Sequence, residues 1–151
     1  MRFFLVLLLA GLLATDARAQ NDLGVGVIVG EPTGLSVKKW ISGQHAIDGG
    51  LAWSFSHEDR IQVHGDYLYH RVHSFETEDL EGRVPFYFGF GGRVILGEDA
   101  VLGARFPLGI GKTLDNAPVE FFLEIVPILD LAPDTEFDLN GAVGVRYYLG
   151  R

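Results

Sequence analysis

The sequence predicts an all-β protein, a closed antiparallel up-and-down β-barrel of eight strands. Three observations predict it. Apolar and polar residues alternate with a period of two through most of the chain, no helical period of 3.6 is sustained, and turn-forming residues separate the alternating runs. Glycine, at 20 of 151 residues, is about twice as frequent as usual, which suits packed strands and tight turns.

The alternation recurs in eight segments of the chain. They span residues 23–30, 35–40, 47–56, 61–70, 84–94, 102–110, 121–129 and 137–147. The first two are the weakest, because Ile28 and Trp40 occupy positions on their polar faces. The next two place Leu51 and Val63 on apolar faces, and the last four are rich in phenylalanine, leucine and valine at every second position.

Short connections with turn residues link most of these segments, as at 31–34 and 132–135. Only the connection at 72–83 is long, and it is acidic. Each segment can therefore pair with the next through a hairpin, and no segment carries obvious edge protection. We expect the strands to close into a barrel, because closure removes unpaired edges.

Composition excludes several classes of protein. A hydrophobic fraction of 48% argues against disorder, and the absence of cysteine excludes disulfide scaffolds, thiol nucleophiles and cysteine-ligated metals. The net charge of −8 argues against nucleic-acid binding.

The first residues have the pattern of an export signal. Arg2 precedes the uncharged apolar run 3–13, and Ala17 and Ala19 occupy the positions that a signal peptidase reads. We expect residues 1–19 to be a cleaved signal peptide and residues 20–151 to form a single barrel domain; an uncleaved membrane anchor is the alternative. Cleavage leaves 132 residues, with ten basic and nineteen acidic side chains and a charge of −9.

The direction of the apolar face separates two kinds of barrel. A lipocalin-like periplasmic barrel would turn it inward around an apolar ligand, whereas a membrane barrel turns it toward lipid. The polar face here is rich in glycine and other small residues, which suits a narrow interior. Aromatic residues of the apolar face also fall at two rims, as in membrane barrels. They are Tyr67, Tyr69, Phe86, Phe88, Phe121 and Tyr147 at one rim and Trp53, Phe55 and Phe137 at the other.

With its export signal and eight alternating strands, the chain resembles the small outer-membrane β-barrels of diderm bacteria, the class of the OmpX-like and OmpA transmembrane-domain barrels. The segments 29–40 and 133–149 carry the likeness. It implies an outer-membrane location, contact with outer-membrane lipids, the barrel-insertion machinery as a partner, and a monomer. It transfers no catalytic residue. The chain departs from the class by ending in Gly150-Arg151 instead of an aromatic residue, and its longest connection would face the periplasm.

Two sets of residues follow from the predicted faces. We expect a charge network that plugs the interior and excludes a pore, with Glu124 between Arg105 and Arg146. Its members are Lys38, Asp48, Asp66, Arg105, Glu124 and Arg146. We also expect Lys38, Asp48 and Asp66 to converge across the second, third and fourth strands. We expect lipid contact at Leu51, Phe88, Phe106, Leu108, Ile125 and Val143.

Candidate chemistry is sparse. His64 and Asp66 share a strand face and, with Ser54 or Ser56, suggest a lipid acyltransferase as an alternative function, but residues two apart lie about 7 Å apart. The five histidines lack a metal-binding spacing, although His70 and His73 lie near Glu76 and Glu78. We therefore expect a structural envelope protein with no catalytic residues, metal site or cofactor.

Overall fold

The computed structural model describes residues 23–54, 60–71, 86–97, 99–114 and 116–149. These residues form antiparallel strands and contain no helix, which confirms the predicted all-β class. The strands are β1 (Leu23–Gly30), β2 (Gly34–Trp40), β3 (His45–Ser54), β4 (Arg60–Arg71), β5 (Phe86–Leu96), β6 (Val101–Arg105), β7 (Leu108–Thr113), β8 (Val119–Ala132) and β9 (Glu136–Tyr148).

Each predicted segment corresponds to a strand, except that the sixth is divided into β6 and β7. The division falls at Phe106-Pro107, and proline has no N–H to donate to a neighbouring strand. The chain continues across it in register, because Phe106 N donates to Pro127 O at 3.0 Å and Gly89 N donates to Pro107 O at 3.0 Å. β6 and β7 thus occupy one position between β5 and β8.

Among the described strands, the hydrogen-bonded pairings form a ring. β1 to β5 pair in sequence, β5 pairs with β6 and β7, these pair with β8, and β8 pairs with β9. β9 pairs with β1, so Arg146 lies opposite Gly26. We call the end where β1 begins and β9 ends the terminal end, and the opposite end the distal end.

Alternation along the strands divides the side chains between a buried face and an exposed face. The buried face carries thirteen polar or charged side chains among the described residues, against ten hydrophobic ones. The exposed face carries large hydrophobic side chains on every strand. The interior is therefore more polar than the surface, the reverse of the usual arrangement in a water-soluble protein.

Gly30 ends β1 with a φ of +133°, a conformation that residues with a Cβ rarely adopt. A Cβ here would also lie 2.5 Å from Gly141 O and 2.9 Å from Ala142 Cα. Glycine thus allows the turn toward β2 and the close approach to β9.

Candidate functional site

The buried face holds an ionic cluster at its centre, and strand register explains how part of it assembles. Lys38 of β2 lies opposite Asp48 of β3, and Asp48 lies opposite Asp66 of β4. Residues in register share a face, so the three charges form one row across three strands. This is the convergence that the sequence predicts.

Glu120 of β8 is the most highly connected carboxylate of this cluster. It lies 3.3 Å from Lys38 Nζ and 2.9 Å from Arg146 Nη1, and it accepts a hydrogen bond of 3.2 Å from Tyr148 Oη. Tyr148 Oη in turn accepts a hydrogen bond of 3.0 Å from Trp40 Nε1. Glu120 is 4% exposed, so its charge depends on these partners instead of water.

Arg146 of β9 joins several strands. Its Nε donates to Ser36 Oγ at 2.8 Å, and its Nη2 lies 3.5 Å from Asp48 Oδ2. The guanidinium also stacks 3.9 Å above the ring of Phe122. Arg146 is 2% exposed, and these contacts link β9 with β2 and β3 across the interior.

A second part of the cluster centres on Arg105 of β6. Its Nε donates to Asp66 Oδ1 at 3.0 Å, and its Nη2 lies 3.5 Å from Glu124 Oε1. Tyr87 Oη donates to Glu124 Oε2 at 2.7 Å. All four residues are buried.

The prediction that Glu124 lies between Arg105 and Arg146 is correct for Arg105 and wrong for Arg146. Glu124 contacts Arg105, but Arg146 lies opposite Glu120 and contacts Glu120 and Asp48 instead. The turns between β7 and β8 and between β8 and β9 set a register that differs from the one assumed in the prediction. Arg105 consequently lies opposite Ile128 and reaches Glu124 along the strand direction.

Aromatic and imidazole side chains close the terminal end of the buried face. Lys38 Nζ lies 2.9 Å from His70 Nε2 and 4.5 Å from the Trp40 ring centroid. Tyr87 packs with Ala46 and Leu68, each at most 1% exposed. These contacts leave the central cluster shielded from water on this side.

The distal end is more open. Arg93 binds Asp130 through two hydrogen bonds of 3.0 Å and 2.6 Å, and it lies 3.5 Å from Asp138, whose side chain is half exposed. Beside this pair is a polar cavity of about 570 Å³, lined by residues that include Glu31, Gln62 and Arg93.

His64 lies next to the row of charges, at a point where Gly50 makes room for it. The two residues are paired between β3 and β4, and a Cβ on Gly50 would collide with the imidazole. One ligand atom each from Asp48, His64 and Asp66 lies within 4.8 Å of the other two. The expectation of no metal site thus overlooked a candidate cation site: the sequence predicts Asp66 close to both His64 and Asp48, but the three residues were not combined as ligands.

Of the two serines that the sequence offers as hydroxyl partners of His64, Ser54 lies in a described strand and Ser56 does not. Ser54 pairs with Arg60, four residues along β4 from His64, which corresponds to about 13 Å along the strand. Ser56, His73, Glu76 and Glu78 lie outside the described residues.

All six residues expected to contact lipid lie on the exposed face, with exposed fractions between 41% and 53%. Both aromatic rims also include exposed members, among them Tyr147 at the terminal end and Phe137, 72% exposed, at the distal end. Neighbouring rings pack along the terminal rim, where the centroids of Tyr69 and Phe88 are 5.5 Å apart. Phe55 lies outside the described residues.

Several important residues were missed by the sequence reading. The alternation places Glu120 on the polar face of the seventh segment, but Glu120 is not among the residues of the predicted charge network. The Arg93–Asp130 pair joins β5 to β8, which are not adjacent along the chain. The register between β8 and β9 pairs Glu120 with Arg146, whereas the Arg93–Asp130 pair depends on the order of the strands.

No family model, curated protein or solved structure matches the chain. Among the described residues, no helix is long and apolar enough to cross a membrane. The class of protein defined by fold and site is thus an antiparallel all-β protein with an ionic cluster on its buried face and an apolar exposed face.

Proposed function

We propose that this chain is a small eight-stranded outer-membrane β-barrel, related to the OmpX-like and OmpA-type barrels, that supports the cell envelope without forming a pore. One observation carries the proposal: the distribution of polarity is inverted. Large hydrophobic side chains cover the exposed face while arginine, lysine and carboxylate side chains are buried. Lipid is the environment in which such a surface is stable, because apolar side chains there need not be shielded from water.

The ring of pairings supports a closed up-and-down barrel in that role. A strand in hydrocarbon must satisfy its backbone N–H and C=O groups through neighbouring strands. The β9–β1 pairing supplies those partners where a linear sheet of strands in chain order would have its two edges. Counting β6 and β7 as one position gives eight, the number at which side chains can fill the interior.

The ionic cluster favours a plugged interior over a channel. Arg105, Glu120 and Arg146 are each at most 4% exposed, and each makes an ionic contact with a strand that does not pair with its own. An open water-filled channel would leave such side chains hydrated. We therefore expect no porin-like conductance.

A structural role is favoured over the acyltransferase alternative, because Ser54 is distant from His64 along the paired strands. In the proposed role the protein acts as a monomer, with outer-membrane lipids around it and the insertion machinery as its transient partner. Lipid profiles of a deletion strain and its parent should be the same. A lipid species altered by the deletion and restored by complementation would favour the enzyme.

Cell fractionation tests the location. We expect the protein in the outer-membrane fraction, resistant to alkaline extraction, with a gel mobility in detergent that changes when the sample is boiled. A periplasmic protein released without detergent would overturn the proposal and favour the soluble ligand-binding barrel. In planar bilayers, we expect no steady conductance of porin size; observing it would overturn the plugged interior.

A further inference from the structure

The Asp48–His64–Asp66 group has buried polar atoms that lack partners. Asp48 Oδ1, His64 Nδ1 and Asp66 Oδ2 are inaccessible to solvent and make no hydrogen bond. The three residues are at most 6% exposed. Since a buried polar atom without a partner is costly, three in one group indicate that a further species belongs between them.

The neighbouring arginines leave these atoms available. Arg105 Nε binds Asp66 through Oδ1, and Arg146 Nη2 lies near Asp48 through Oδ2. Each aspartate therefore has one oxygen held by an arginine, and when both carboxylates are ionised the other oxygen has no donor. Carboxylates that ligate metal ions are commonly held in this way by outer hydrogen bonds, which fix their orientation.

The charges of the central cluster do not balance. Lys38, Arg105 and Arg146 supply three positive charges, whereas Asp48, Asp66, Glu120 and Glu124 supply four negative charges when ionised. The excess negative charge lies in a group with little access to water, so a bound cation would stabilise it.

We propose that Asp48, His64 and Asp66 bind one divalent transition-metal ion of the zinc class inside the protein. Two carboxylates and an imidazole are a donor set suited to Zn²⁺ and to neighbouring first-row ions, with water completing the coordination. Metal–ligand bonds of about 2.0–2.2 Å require the three ligand atoms to approach by about an ångström from their separation of up to 4.8 Å. The side chains can supply that movement while the strands remain in place.

The distal cavity lies on the side of the site from which an ion would enter. Gln62 lines the cavity, and His64 is the next residue of β4 on the same face, about 7 Å further along the strand. The inference does not depend on the membrane proposal, because the site lies on the buried face whatever surrounds the exposed one.

The test uses the folded full-length protein, purified from the cell fraction that contains it and stripped with chelator. After dialysis against micromolar Zn²⁺, elemental analysis should give about one ion per chain. His64→Gln should weaken binding at least tenfold, because the imidazole is a direct ligand. His45→Gln is the matched control, since His45 contacts Tyr67 at the terminal rim and should bind like the unaltered protein.

X-ray absorption of the zinc-loaded unaltered protein provides a readout that requires no variant to fold. We expect one imidazole and a shell of oxygen ligands. Absence of stoichiometric zinc, a spectrum without imidazole, or equal affinity in the folded His64→Gln variant would overturn the metal site. A proton shared by Asp48 and Asp66 would then be the species between them. The membrane proposal is tested separately by cell fractionation, so its failure can be distinguished from failure of the metal site.

Discussion

Strand β8 carries opposite chemistry on its two faces. Phe121, Leu123 and Ile125 are 49–53% exposed, whereas Glu120 and Glu124, on the alternate positions, are 4% and 7% exposed. Both sets depend on their surroundings, but in different ways. The buried carboxylates require specific partners across the interior, while the exposed side chains require only an apolar environment.

The largest expected effect is removal of Glu120 from the buried face. Glu120→Ala leaves Lys38 and Arg146 close together without their shared carboxylate, and we expect the free energy of unfolding to fall by about 3–5 kcal/mol. Urea titration followed by the change in gel mobility measures it. Glu136→Ala, at an exposed position of β9, is the control and should be nearly neutral. Equal effects of the two substitutions would contradict the role assigned to Glu120.

A charge on the opposite face should have the next largest effect. Ile125→Arg should destabilise the protein in lipid vesicles by about 2–4 kcal/mol, because a charged guanidinium at mid-depth loses its hydration in the hydrocarbon. Phe137→Arg, near the distal rim, should cost about 0–1 kcal/mol. Folding equilibria in vesicles compare the two, and equal costs would argue against a bilayer around this face.

Glu124 should matter less than Glu120, although both are buried carboxylates of β8. After Glu124→Ala, Arg105 retains Asp66 at 3.0 Å, and Tyr87 loses its acceptor. We expect a loss of about 1–3 kcal/mol in the same urea titration. An effect as large as that of Glu120→Ala would show that the ion pair with Asp66 alone does not compensate for the buried charge of Arg105.

The last substitution concerns the backbone. Gly30→Ala should cost at least about 1–2 kcal/mol, because alanine is strained at positive φ and its Cβ would also crowd the backbone oxygen of Gly141. Gly43→Ala is the control, since a Cβ there meets no atom within 4 Å. Thermal unfolding of both variants checks the difference, and a neutral Gly30→Ala would rule out this conformation.

The period-two alternation was sufficient to predict the strands and to assign residues such as Leu108 and Arg105 to opposite faces. It was insufficient for partner assignment, because partners depend on register, and a shift of a few residues at a turn paired Arg146 with Glu120 instead of Glu124. Contacts between distant strands, such as Arg93 with Asp130, depend on the order of the ring. The sequence predicts the convergence of Asp48 with Asp66, whereas the place of His64 beside them depends on the β3–β4 pairing that sets His64 opposite Gly50.

The most direct test of the central claim measures what surrounds the exposed face. The chain has no cysteine, so single cysteines at Asn116, Phe121, Leu123, Ile125 and Leu131 can each carry one spin label. In reconstituted vesicles, we predict that collision with oxygen is strongest and collision with a water-soluble nickel complex weakest at Leu123 and Ile125, with the opposite pattern at Asn116 in the β7–β8 connection. Strong nickel collision at all of these positions would show that the face lies in water and would contradict the account.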